Sequence, residues 1–161
     1  MAVIEDIVEA HIKPRKVMAR LLKLGKRDDK AFAMLFGGCF ILFMAQWPYR
    51  ARQAHLNEAV LTDYIQHDAL GLIFTLPLMA YAFAALLRVF TKIFRAKADF
   101  YSARLATFWA LLAASPAVIL SGLIKGFLGL GTMNSIFGFF WLVIFLWILV
   151  NSLIEAEQWA T

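Results

Sequence analysis

One cysteine, Cys39, stands in the whole chain, so no intrachain disulfide can form and no cysteine-based metal site can be assembled. Charge is scarce: 17% of residues are Asp, Glu, Lys or Arg, against about a quarter in ordinary soluble domains. Where charge is missing matters more than how much. Four long apolar runs carry no ionisable residue at depth, which removes the groups that a proton-coupled transporter or an intramembrane hydrolase needs. No HExxH order occurs, and His55, Glu58, Asp63, His67 and Asp68 are irregularly spaced, so a solvated interfacial helix explains them better than a metal site. GFLGLG at 126–131 follows an apolar run instead of a strand and lacks the spacing of a nucleotide loop, so it reads as a turn. The amino terminus has acids and no apolar core ahead of a small-residue cleavage site. It is read as no signal peptide, with the first apolar run acting as an uncleaved insertion signal.

What is present is apolar. Hydrophobic residues make up 62% of the chain and aromatics 15%, with a mean hydropathy of +0.71, well above the roughly 45 to 50% apolar content of a soluble domain. The length of 161 residues suits one domain. From Leu105 to Ile124 no charge interrupts the sequence, and about 20 such residues cross a bilayer core of ~30 Å as a helix. The same reading places spans at about 31–47, 69–88 and 133–154. The first is short, and Gly37 and Gly38 give it a flat patch for another helix. Pro48 is expected to end it, leaving 48–68 as a polar connection with a short surface helix. The expected fold is therefore all-α: a polytopic membrane helix bundle of about four transmembrane helices.

Residues 1–30 form a separate arm. Ile4, Ile7, Val8 and Ile12 recur at helical spacing, as do Val17, Met18, Leu21 and Leu22, with Pro14 between them to kink the helix or start a second one. Lys13, Arg15, Lys16, Arg20 and Lys23 occupy the polar side, which suits an amphipathic helix in the headgroup layer facing anionic lipid. Packing on the protein's own surface is the compatible alternative. Thirteen of the 16 cations lie in the arm and in the loop holding Arg88, Lys92, Arg95, Lys97 and Arg104; only Arg50, Arg52 and Lys125 remain for the other side. By the positive-inside rule both termini, including the 155–161 tail, are cytoplasmic. The net charge of +5 is thereby explained by a membrane face, and no nucleic-acid partner is expected.

Pro77 and Pro116 fall near the middle of consecutive spans and read as packing devices, together with Gly37, Gly38, Ala110 and Ala114 at helix contacts. Gln46, Thr75, Tyr81, Ser115, Ser121 and Asn151 read as interhelical glue. No catalytic set, cofactor or metal site is expected.

Three stretches carry a family resemblance: IVEAHIKPRKVMARLL at 7–22, FMAQWPYRARQAH at 43–55 and FYSARLATFWALLAASP at 100–116. Together they resemble the bacterial branch of the Yip1-domain family of small multi-pass membrane proteins, in particular short alphaproteobacterial members. The acidic DLYGP-type motif of eukaryotic members is absent, and Phe108 and Trp109 stand where Gly-Tyr usually precedes the helix proline. The resemblance implies a non-enzymatic scaffold or interaction protein of the bacterial inner membrane, with membrane lipids and proteins, or a second copy, as partners. An accessory subunit of an energy-transducing complex and a small-solute transporter or channel are the competing expectations.

Overall fold

Six consecutive residues, Leu105 to Ala110, are buried. A helix turns once in 3.6 residues, so this segment is covered on every side, and the other helices are arranged around it. The computed structural model describes residues 3–93 and 97–160, the His67 side chain excepted. They are all-helical, with no strand among them. In order they form α1 (Val3–Ile12), α2 (Pro14–Lys23), α3 (Asp28–Leu56), α4 (Leu61–Leu70), α5 (Leu76–Ile93), α6 (Phe100–Ala113), α7 (Ser115–Leu128) and α8 (Thr132–Trp159), with a π-helical turn at Gly71–Thr75 joining α4 to α5. Three rods are long and apolar enough to cross a membrane: α3, the α4–α5 rod and α8. A fourth exists if α6 and α7, bent by 42°, count as one span. Arg95, Phe94, Ala96 and the extreme terminal residues Met1, Ala2 and Thr161 lie outside the described residues.

The small residues of α6 decide the packing. Ala103, Ala106, Ala110, Ala113 and Ala114 are all buried, so α3, α5 and α8 approach α6 closely. In lipid, contact density of this kind replaces hydrophobic burial as the drive for association. Large side chains fill the remaining space: Phe108 lies edge-on to Tyr81 of α5 with ring centroids 4.9 Å apart, and Trp109 is 1% exposed.

The prolines act in three different ways. Pro14 sits in the first turn of α2 and starts that helix, as expected. Pro77 is buried in the first turn of α5, immediately after the π-helical turn; its ring collides with the carbonyl of residue 73 in a regular helix, and a widened turn relieves the clash. Pro116 stands in the first turn of α7, just past the bend at Ala114, and its side chain is exposed. It stands at the 42° bend between α6 and α7.

Pro48 departs from expectation. Helix α3 runs through it and continues to Leu56. Pro48 leaves the carbonyl of residue 44 without its helical donor, but the segment beyond is held from outside by contacts with α7 and α4. The polar connection shrinks to 57–60, where Glu58 adopts φ 51 and the Ala59 amide donates to the Ala54 carbonyl at 3.0 Å, a left-handed helix stop. Half of the expected glycine-rich turn is also helical, since α7 extends to Leu128.

Candidate functional site

Two polar ends cap the apolar bundle. At the terminal end, where α1, α2 and the last turns of α8 meet, the α2–α3 turn is tied to α6. The Tyr101 hydroxyl accepts from the Arg27 amide at 3.0 Å; Arg104 holds Asp28 at 2.5 Å; Lys26 holds Asp99 at 2.5 Å. Asp99 is the cap of α6, accepting from the Ser102 amide at 2.9 Å and the Ser102 hydroxyl at 2.8 Å. Burial opposes its charge, yet Lys26 and Ser102 outweigh that and hold the carboxyl below its usual range. Glu157 of α8 accepts the Lys97 and Ala98 amides at 2.6 and 3.1 Å, closing the ring from α2 to α8.

The arm is built on this base. Val17, Met18, Leu21 and Leu22 of α2 are buried, mainly against α8, so the apolar stripe of α2 packs on the protein itself. Its cations divide. Arg20 reaches back to Asp6 of α1 and to Glu9 at 2.6 Å, and Lys16 meets Glu9 at 2.8 Å. These two cations hold the Glu9 carboxyl below its usual value. Arg15 donates to Asn151 of α8 at 3.1 Å, while Asn151 itself donates to the Trp147 carbonyl at 2.8 Å. Lys13 and Lys23 remain exposed. The pairing turns α1 so that Ile4, Val8 and Ile12, one turn apart, are 75%, 61% and 74% exposed. The arm thus presents an apolar edge on α1 beside the cations of α2.

Among the residues expected at helix contacts, Gly38 lies close under α6, where a Cβ would stand 3.3 Å from Leu111, and a Cβ on Gly37 would stand 3.5 Å from Leu112. Ala110 and Ala114 are buried in the central rod. The tightest contact is elsewhere and escaped the sequence reading. A Cβ on Gly122 would meet the Ala45 carbonyl oxygen at 2.0 Å, and one on Gly126 would meet Pro48 at 2.5 Å. The signal is present as the Gly-x3-Gly spacing of GLIKG at 122–126, hidden because Gly126 reads as the start of the 126–131 turn.

The distal end joins α3, α4 and α7. Arg50 binds Asp68 through two bonds of 2.6 Å and donates to Gln53 at 2.8 Å. Lys125 lies 4.3 Å from the centre of the Tyr49 ring. Arg52 donates to the carbonyls of Gly126 and Phe127 at 3.4 and 2.5 Å, placing a cation at the negative end of α7. Among the described residues no three His, Cys, Asp or Glu side chains converge as metal ligands. Comparisons with family models, with curated proteins and with solved structures find no match to this chain.

Proposed function

We propose that this chain is a non-enzymatic membrane scaffold of the Yip1-like class, with four spans and with its arm seated at the cytoplasmic interface of a bacterial inner membrane. The observation that carries the reading is the arm: a helix pair fastened to the terminal end of the bundle through Arg15, Val17, Met18, Leu21 and Leu22, with Ile4, Val8 and Ile12 left exposed beside Lys13. Such an edge inserts a few ångströms into the headgroup boundary, and nearby cations add roughly 1 kcal/mol each on an anionic surface. The cation excess of the arm and of the loop before α6 supports cytoplasmic placement of both termini. On this reading the bent α6–α7 pair is one span, and Lys13, Arg15, Lys16, Arg20 and Lys23 form the lipid-facing surface.

Interaction surfaces follow from exposure. The α4–α5 rod is the least buried of the three long apolar rods and leaves Leu78, Met79, Phe83, Leu86, Val89 and Phe90 uncovered. That observation favours the second reading, an accessory subunit whose larger partner covers this rod. Purification of the native protein in mild detergent, with mass measurement and identification of co-eluting chains, separates the two. A monomer or small homo-oligomer is expected for the scaffold. A large particle with stoichiometric partners overturns the free scaffold and names the function through its company.

A further inference from the structure

Between the arm and α3 runs a groove of about 630 Å3. Its charged end is formed by Asp6, Arg20 and Lys30, and its apolar floor by Ala33, Met34 and Gly37, with Leu112 behind. The charges there do not cancel. Arg20 is engaged by Asp6 and Glu9; the two acids beside Lys30 are engaged elsewhere, Asp29 by Arg27 at 2.9 Å and Asp28 by Arg104 at 2.5 Å. Lys30, half-buried, forms no ion pair among the described residues. The groove therefore ends in one uncompensated ammonium beside a guanidinium shared with Asp6 and Glu9.

Its polarity is graded along α3. Lys30 closes the polar stretch KRDDK, and the apolar run begins with the next residue. From Lys30 to Gly37 the helix rises about 10 Å, along a face kept shallow by Ala33 and Gly37. An occupant must carry an anion at one end and hydrocarbon at the other, in the order in which a bilayer presents them.

We propose that this groove holds one anionic glycerophospholipid, its phosphate on Lys30 and Arg20 and the upper part of an acyl chain over Ala33 and Gly37. The inference rests on the placement of the arm at the membrane interface and adds a discrete site to it. A phosphate at this position gives the ammonium of Lys30 its missing partner, and charge-assisted bonds of this kind are the strong ones. A zwitterionic headgroup brings its own cation to Lys30 and gains less.

The test uses the full chain, delipidated in a neutral detergent, with phosphatidylglycerol as the probe and phosphatidylcholine and inorganic phosphate as controls; binding is read by native mass spectrometry and by the shift in thermal unfolding. One phosphatidylglycerol per chain is expected, with little effect of either control. Lys30→Gln, and independently Ala33→Leu on an exposed position of α3, should each weaken binding about tenfold, while Lys92→Gln, exposed on α5 outside the arm and the groove, leaves it within about twofold. Unchanged binding in both groove variants overturns the proposal; if Lys13→Gln with Lys23→Gln weakens binding where the groove variants do not, the interfacial arm survives without a discrete site. Equal binding of both phospholipids to the unaltered chain defeats the groove and the anionic arm together. Saturation by inorganic phosphate alone also overturns a lipid site.

Discussion

A Cβ on Gly122 would lie 2.0 Å from the carbonyl oxygen of Ala45: at this crossing α3 and α7 touch backbone to backbone. Four residues on, Gly126 receives Pro48 in the same way. Contact without intervening side chains maximises dispersion between two helices that lipid would solvate equally well apart.

Gly122→Ala should therefore force α3 and α7 apart and destabilise the fold by about 2 to 3 kcal/mol, the usual cost of overpacking. Gly138, with nothing within 4 Å of its added Cβ, is the control: Gly138→Ala should be neutral or stabilising by under ~1 kcal/mol. Thermal unfolding in a mild detergent checks both, and a Gly122→Ala protein as stable as its parent contradicts the close crossing.

Arg50 and Asp68 fasten α4 to the distal end of α3 with a two-bonded pair whose side chains are 29% and 16% exposed. Asp68→Asn should cost about 2 kcal/mol, between the values for exposed and buried pairs. It should also raise hydrogen exchange in α4 before the rest of the bundle opens. A double-mutant cycle with Arg50→Gln isolates the pair, and a coupling near zero would contradict it.

Glu58 holds φ 51 at the end of α3, a left-handed conformation that costs a residue with a Cβ about 1 kcal/mol and glycine almost nothing. Glu58→Gly should raise stability by roughly that amount, seen as a higher unfolding midpoint with the α3–α4 turn unchanged. A loss of stability would count against the left-handed stop.

The arm should respond to acid. Lys16 and Arg20 hold Glu9 below its ordinary value of 4.5, so its contribution to docking α1 is fully present above about pH 4.5 and fades as pH falls through the lowered native value. Hydrogen exchange along 3–12 measured from pH 7 to pH 3 should rise at the acidic end, and Glu9→Gln should show that mobility already at pH 7. Pro14–Lys23, buried through four apolar side chains and Pro14, should stay protected throughout.

Much of the architecture is legible in the sequence. The uncharged run through 105–124 marks the central rod because its many alanines and aromatics suit a helix surrounded by helices. Pro14 and the spacing of Val17, Met18, Leu21 and Leu22 point to the helix found at Pro14–Lys23, since proline at a helix start and helical periodicity are local properties. Pro48 misled for the same reason: proline disfavours a helix locally, but contacts from α7 and α4 sustain one there. The cations of the arm were legible as a stripe and not as pairs, because the acids that engage Arg20 and Lys16 lie on another helix.

The sequence by itself determined that this chain is helical and apolar enough to span a membrane, and it located the four apolar runs; backbone hydrogen bonds in lipid must be satisfied within each segment, so composition and length suffice. Tertiary structure alone decided the crossing at Gly122, the passage of α3 through Pro48, the clamp of Arg50 on Asp68 and the rotation of α1 that exposes Ile4, Val8 and Ile12. Each depends on where a second helix lies, and in hydrocarbon that is set by shape and by a few polar contacts between residues far apart in the chain.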